Sequence, residues 1–138
     1  MTLHPCRPIT IGVARPADAV YAYAADPETM AEWAAGIGDG LRRASDEDGV
    51  WIADTPAGEA RVRFSPANPF GVLDHWVTLP DGAEISAPLR VVANGDGAEV
   101  TLTLFRLSDM DDAAFERDAA AVTRDLETLK ARLEQSSP

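Results

Sequence analysis

The side chains that could carry acid–base, nucleophilic or metal chemistry in this chain are few and scattered. The 138 residues include two histidines, His4 and His75, and a single cysteine, Cys6. No histidine or cysteine pair has the spacing of a metal site, and neither Cys6 nor any serine lies in a recognisable nucleophile motif. Glycine-rich segments at 36–40 and 94–97 lack the lysine and the strand-to-helix setting of a phosphate loop, so they predict turns. We therefore expect no metal and no cofactor, and we find no catalytic motif.

His75 is the one ionisable side chain that the predicted strands turn inward away from a strand end. A strand is predicted over residues 72–79, and its alternation puts His75 on the same face as Leu73 and Val77. The opposite register would expose these apolar residues and bury Asp74 in their place. A buried imidazole needs a protein partner, water or a ligand. Three roles stay open: a satisfied histidine at the margin of the sheet, a polar contact in a ligand pocket, or a catalytic acid or base.

The first third of the chain predicts one strand followed by two short helices. Residues 9–13 alternate with the period of a half-buried strand. Pro16 suits a first helical position and predicts a helix over 16–25. Asp26-Pro27, a capping residue before a proline, predicts a second helix that ends near residue 35.

Further strands are predicted in the middle of the chain. Turn signals rich in Gly, Pro, Asn and Asp separate six apolar runs, which predicts an antiparallel meander. The runs cover about 41–44, 50–54, 59–64, 72–79, 83–93 and 99–107. Alternation gives the sheet one apolar face, which includes Phe64, Leu89 and Leu102. The other face is mostly polar and carries Trp76 and Phe105.

A long amphipathic helix is predicted at the end of the chain, from about 109 to 134. Its apolar stripe recurs at alternating steps of four and three residues from Phe115 to Leu133. Ser108 is the predicted cap. One face of this helix must therefore be buried, and the small residues at 119–121 leave room for a cavity beside it.

Composition limits the class of protein and its partners. Hydrophobic residues make up 46% and charged residues 25%, which is typical of one soluble domain over 1–138, with loose ends predicted at 1–8 and 135–138. The formal net charge of −11 argues against nucleic acid or an anionic membrane as partner. No apolar run approaches the roughly 18 residues of a membrane span. The lone cysteine and the lack of a secretory leader predict a cytoplasmic protein.

The order of strand, two helices, six strands and long helix resembles the helix-grip fold of the START-related, polyketide-cyclase-like (SRPBCC) superfamily. The resemblance rests on 17–23 followed by Asp26-Pro27 and Trp33, and on Asp125-Leu126 with Leu129-Lys130 near the end. Residues 70–75 and 90–95 resemble uncharacterised bacterial members. The resemblance implies an α+β fold in which a curved antiparallel sheet of about six or seven strands wraps a long C-terminal helix, with two short N-terminal helices. It also implies an apolar ligand between sheet and last helix, but no catalytic residue, because the superfamily shares no catalytic motif.

Three functions stay open. The first is binding of a hydrophobic small molecule or lipid between the sheet and the C-terminal helix. The second is a polyketide cyclase- or dehydratase-like enzyme, with His75 as general base assisted by Asp118 or a tyrosine such as Tyr23. The third is a protein-interaction or stress-related module that uses Trp76 and Phe105, for which a homodimer is one form. The ligand-binding residues predicted for the first function are His75, Phe64, Leu89, Leu102, Phe115, Asp118, Val122 and Trp33.

Overall fold

The computed structural model describes residues 3–35 and 40–135, which form eight strands, two α-helices and a 3₁₀ turn. The predicted glycine turn at 36–40, except for Gly40, and the ends at 1–2 and 136–138 lie outside the described residues. The strands are β1 (Cys6–Val13), β2 (Leu41–Arg43), β3 (Val50–Thr55), β4 (Gly58–Phe64), β5 (His75–Thr78), β6 (Glu84–Ala87), β7 (Leu89–Asn94) and β8 (Gly97–Phe105). The helices are α1 (Ala17–Ala24) and α2 (Asp112–Gln135), and the 3₁₀ turn is Met30–Glu32.

The strands form two antiparallel sheets that meet where β6 passes into β7. One sheet has the order β1-β8-β7 and the other has the order β2-β3-β4-β5-β6. The run predicted as one strand over 83–93 is divided at Pro88, which has no backbone N–H to donate to a ladder. The Pro88 carbonyl still accepts from the backbone N–H of Thr103 at 2.9 Å, which keeps the junction against β8. The bend lets the two sheets wrap around one side of α2.

The N-terminal region differs from the prediction at both of its ends. β1 begins at Cys6, whose register partner is Phe105 in β8, so the expected loose start through Pro8 is paired from Cys6 onward. The second predicted helix is only the 3₁₀ turn Met30–Glu32. Before it, the Asp26 carboxylate accepts from the Glu28 N–H at 2.9 Å and the Asp26 carbonyl accepts from the Thr29 N–H at 3.1 Å, so residues 26–29 form a turn.

The segment between β4 and β5 is fixed against β7 by backbone hydrogen bonds. Gly71 accepts from the Val91 N–H at 2.9 Å, and the Leu73 N–H donates to the Leu89 carbonyl at 2.9 Å. Gly71 has a φ of +73°, and a Cβ at this position would lie 2.0 Å from the Val91 carbonyl oxygen. The predicted strand at 72–79 is therefore shorter, because its first residues pair with β7 and not with β4.

Helix α2 carries the predicted apolar stripe into the core. Leu126 and Leu129 are 1% and 0% exposed, and they belong to one cluster with Val20 and Val100. Burying a leucine side chain stabilises a fold by about 1.5–3 kcal/mol. The helix begins later than predicted, because the carboxylate of Asp111, and not Ser108, accepts from the N–H of the third helical residue at 2.8 Å.

The α+β helix-grip fold predicted from the sequence is confirmed, with curved antiparallel sheets around a long C-terminal helix. Within the described ranges, no helix combines the length and apolar character that crossing a lipid bilayer requires.

Candidate ligand-binding cavity

A cavity of about 120 Å³ lies between α2 and the inner faces of both sheets. Its wall combines the segment after α1, both sheets, the segment between β4 and β5, and the middle of α2. The lining residues are Met30, Trp33, Ala34, Leu41, Val62, Phe64, Leu73, His75, Val77, Leu89, Leu102, Val122, Asp125 and Leu126. Three of them, Trp33, His75 and Asp125, carry polar side-chain atoms, so the space is predominantly apolar.

Strand pairing places His75 on the cavity side of β5. His75 is the register partner of Phe64 in β4 and of Ala87 in β6. The Phe64 and His75 rings pack with their centroids 5.8 Å apart and their planes tilted by 44°. The imidazole is thus held between neighbouring strands and oriented by an aromatic wall.

His75 contributes the first buried polar atom at this cavity, its ring nitrogen Nδ1. Nδ1 is buried and has no hydrogen-bond partner among the described residues. Burial lowers the pKa of His75 below its ordinary value of 6.5, while the Leu73 backbone and the Asp74 carboxylate act in the opposite direction. The imidazole is therefore neutral at pH 7, and its Nδ1 remains available for a hydrogen bond.

Trp33 contributes the second buried polar atom at this cavity. Its side chain is 7% exposed, and Nε1 likewise finds no partner in the part of the chain that the structure describes. The residue follows the 3₁₀ turn, where its backbone N–H donates to the Met30 carbonyl at 3.2 Å. An indole nitrogen only donates, so the group that satisfies it must be an acceptor.

Asp125 is the carboxylate that lines the cavity from α2. Burial raises the pKa of Asp125 above its ordinary value, although the hydrogen bond from the Ala35 backbone N–H and the charge of Arg124 act in the opposite direction. Asp125 Oδ1 accepts that N–H at 3.2 Å, which ties α2 to the segment that carries Trp33. The carboxylate therefore holds one wall of the cavity in place.

Six of the eight predicted ligand-binding residues line this cavity, and two lie elsewhere. Those at the cavity are His75, Phe64, Leu89, Leu102, Val122 and Trp33. Phe115 precedes Val122 by two helical turns, about 10 Å along the axis, and lies under the Arg7 guanidinium at 4.9 Å from its ring centroid. Asp118 lies in an open groove on the outer side of Trp33.

The predicted ligand-binding residues include Asp118 and not Asp125, although the sequence also contains a signal for Asp125. Asp125 follows Val122 by three residues and precedes Leu126, so it borders the middle of the apolar stripe. Tyr23, the other predicted assistant of His75, does not line the cavity. Its hydroxyl donates to Glu32 at 2.6 Å, and burial with that hydrogen bond raises the pKa of Tyr23 to about 12. Neither assistant proposed for a His75 base is at the cavity.

The outer sheet face carries the residues of the interaction hypothesis. Trp76 is 36% exposed and borders a shallow groove with Arg61, Arg63 and Glu47. Both arginines are ion-paired with Glu47, at 3.3 and 2.6 Å. Phe105 is half-buried and does not line this groove. The described residues contain no group of three or more His, Cys, Asp or Glu side chains that could hold a metal ion.

The chain is similar to solved structures but to no family sequence model and no curated protein. DynU16, a protein in the dynemicin biosynthetic locus, matches 96% of this chain with a TM-score of 0.71 and 16% identity, and the chain spans only 48% of its length. CalU16 from Micromonospora echinospora gives a TM-score of 0.71 and 16% identity, and the match covers 96% of this chain and 76% of CalU16. CV1439 from Chromobacterium violaceum gives a TM-score of 0.67 and 14% identity, and the match covers 94% of this chain and 97% of CV1439.

These likenesses concern the fold. At identities of 14–16%, they show a shared architecture over nearly the whole chain. They support the helix-grip architecture described above and carry no role for this chain.

Proposed function

We propose that this chain binds a small hydrophobic molecule in the cavity between its sheets and α2. The observation that carries the proposal is that two residues lining one mostly apolar cavity, Trp33 and His75, each have a buried polar atom, Nε1 and Nδ1, with no hydrogen-bond partner among the described residues. Leaving a buried donor or acceptor unsatisfied costs about 1–3 kcal/mol. A ligand with its own polar group would form hydrogen bonds to these atoms. In a core that binds nothing, apolar side chains at these two positions would be more stable.

The size of the cavity limits the ligand. The cavity has about 120 Å³, and an apolar cavity of roughly 150 Å³ is sufficient for benzene. Pockets for drug-sized ligands have about 300–1,000 Å³. The cavity is slightly smaller than one that holds a benzene ring, so one ring or a short chain would enter with a small movement of the walls, and a full-length fatty acid would need a much larger one.

A titration with toluene tests this proposal, because toluene has one ring and no hydrogen-bonding group. A ligand that binds only the folded chain stabilises it by RT ln(1 + [L]/Kd), so the melting temperature rises with ligand concentration. We expect toluene to raise the melting temperature of the wild-type chain. Val122→Phe, which fills the cavity from α2, should abolish this rise even if its own melting temperature is altered.

Val92→Phe is the matched control, because Val92 is 59% exposed on β7 and does not line the cavity. The same valine-to-phenylalanine change should leave the toluene effect intact. No effect of toluene on the wild type, or a full effect on Val122→Phe, would contradict binding in this cavity.

A cyclase- or dehydratase-like reaction is the second candidate, and one observation favours it. His75 and Asp125 are two ionisable groups on the wall of one cavity, and they could move a proton to or from a bound substrate. Its test is turnover of a small hydroxy ketone by the wild type, with loss of turnover but retained binding in Asp125→Asn.

A further inference from the structure

The polar groups on the cavity wall restrict the charge of its ligand. Among the described lining residues there is no lysine or arginine, and the one charged group is the Asp125 carboxylate. The chain as a whole carries a formal net charge of −11. An anionic ligand would lie in an apolar space beside a carboxylate and without a counter-ion, which is costly. The cavity therefore disfavours carboxylates and phosphates.

The same groups determine which polar atom a neutral ligand must carry. The Trp33 Nε1–H is a donor with no acceptor among the described residues, so a ligand that satisfies it must supply an acceptor. A neutral imidazole can donate or accept at Nδ1, according to its tautomer. A carbonyl oxygen accepts only, whereas a hydroxyl accepts and donates, so an oxygen of either kind suits both protein atoms.

We infer that the cavity selects neutral single-ring or short-chain molecules that carry one hydroxyl or carbonyl oxygen, which accepts the Nε1–H of Trp33. His75 Nδ1 offers a second contact to the polar end of the same ligand. This inference rests on the proposed function and specifies its ligand class: phenols, alcohols and ketones bind better than hydrocarbons of the same shape, and carboxylates do not bind.

Three probes of similar size, toluene, phenol and benzoate, test this at pH 7. The quantity to measure is the phenol preference, the ratio of the toluene Kd to the phenol Kd. Trp33→Phe keeps an aromatic ring but removes the N–H, so the preference should fall about fivefold, the effect of one net hydrogen bond. Comparing ratios removes the different hydrophobicity of the two probes.

Trp51→Phe is the matched control, because Trp51 does not line the cavity and instead lies against the Arg43 guanidinium at 4.7 Å. This variant should keep the phenol preference of the wild type. Benzoate should show no saturable binding to either variant or to the wild type.

A second measurement keeps the test valid if Trp33→Phe does not fold. The chain has three tryptophans, so its proton–nitrogen NMR spectrum contains three indole N–H signals. Trp51→Phe and Trp76→Phe identify two of them and leave the third to Trp33. Phenol should move the Trp33 indole proton downfield in the wild-type spectrum, and toluene at equal saturation should not.

The outcomes separate this inference from the proposed function. If none of the probes binds, the proposed function fails. If toluene binds but Trp33→Phe leaves the phenol preference unchanged, or phenol leaves the Trp33 indole proton in place, the function stands and the inference is overturned. Benzoate binding as tightly as phenol would overturn the requirement for a neutral ligand.

Discussion

Trp33 Nε1 and His75 Nδ1 are both buried at one cavity, and neither has a hydrogen-bond partner among residues 3–35 and 40–135. Trp33 reaches the cavity from the segment after the 3₁₀ turn, and His75 reaches it from β5. Buried polar groups in folded proteins are nearly always paired. Two exceptions at the same place indicate a site where a ligand completes the hydrogen bonding.

Replacing His75 tests whether the protein or a ligand needs this imidazole. His75→Leu removes a buried polar atom that has no partner within 3–35 and 40–135, so the free energy of unfolding should stay the same or rise. Phenol binding should weaken, whereas toluene binding should not. A loss of about 1–3 kcal/mol in stability with unaltered phenol affinity would show a protein partner for His75 and remove it from the site.

The pH dependence of stability should report the lowered pKa of His75. Because this pKa lies below the ordinary 6.5 in the folded chain, the unfolded chain takes up the proton first as the pH falls. The contribution of neutral His75 to the free energy of unfolding should therefore be complete well above pH 6.5. It should decrease as the pH falls below 6.5, by at most about 1.4 kcal/mol per pH unit for one proton. Carboxylates with lowered pKa values, such as Asp74, act below 3.8, whereas Asp125, whose pKa is raised, acts above 3.8 and with the opposite sign. The contribution of His75 is therefore the difference between the wild type and His75→Leu.

Denaturant unfolding of the wild type and of two variants between pH 5 and 8 measures this slope. His75→Leu should lose it, while His4→Gln, at an exposed position, should keep it. An equal slope in the wild type and in His75→Leu would contradict the assignment.

Gly71 should be intolerant of a side chain for two separable reasons. In Gly71→Ala, an alanine must adopt a φ of +73°, and its Cβ would lie 2.0 Å from the Val91 carbonyl oxygen. Val91 is held in β7 by its pairing with β8, so it cannot easily move away. Gly82→Ala is the control, because its φ is +92° but no atom lies within 4 Å of its Cβ. Both should destabilise, by about 1 kcal/mol for Gly82→Ala and by more for Gly71→Ala. If thermal unfolding shows the same loss of stability for both variants, the close approach of Gly71 to β7 does not contribute to the intolerance.

Asp125 should be replaceable by its neutral isostere. Burial raises the pKa of its carboxyl group, so ionisation at neutral pH opposes folding, and Asp125→Asn removes that charge. The amide oxygen can still accept the Ala35 N–H. The melting temperature at pH 7 should therefore be unchanged or higher, and Asp118→Asn, on the open groove, should change it little. A clear decrease for Asp125→Asn alone would show that the charge itself holds the segment that carries Trp33.

Periodicity was sufficient to predict the parts of the fold that repeat. The stripe from Phe115 to Leu133 and the alternation around His75 depend on local spacing, and the structure buries both as expected. The division of one predicted strand at Pro88 depends on long-range pairing, and the second predicted helix is replaced by a turn at 26–29 and the 3₁₀ turn Met30–Glu32. Spacing alone does not show these.

The site was harder to predict than the fold, because its polar atoms come together only in three dimensions. Trp33 was an aromatic candidate, but that its Nε1 is unpaired follows from how the segment after α1 packs. Asp118 and Asp125 had equal standing in the sequence, and the position of the cavity along α2 selects Asp125. Helical spacing identifies which face of α2 is buried. Which residues along that face line the cavity depends on where the sheets contact the helix.

The most direct test of the central claim is a methyl NMR titration of the wild-type chain with phenol. The cavity account predicts saturable shifts at the lining methyl groups, such as those of Val77, Leu102 and Val122, and none at exposed Leu3 or Val92. Shifts confined to Val92 and its surroundings, or no saturable shift at the lining methyl groups, would contradict a ligand-binding cavity between the sheets and α2.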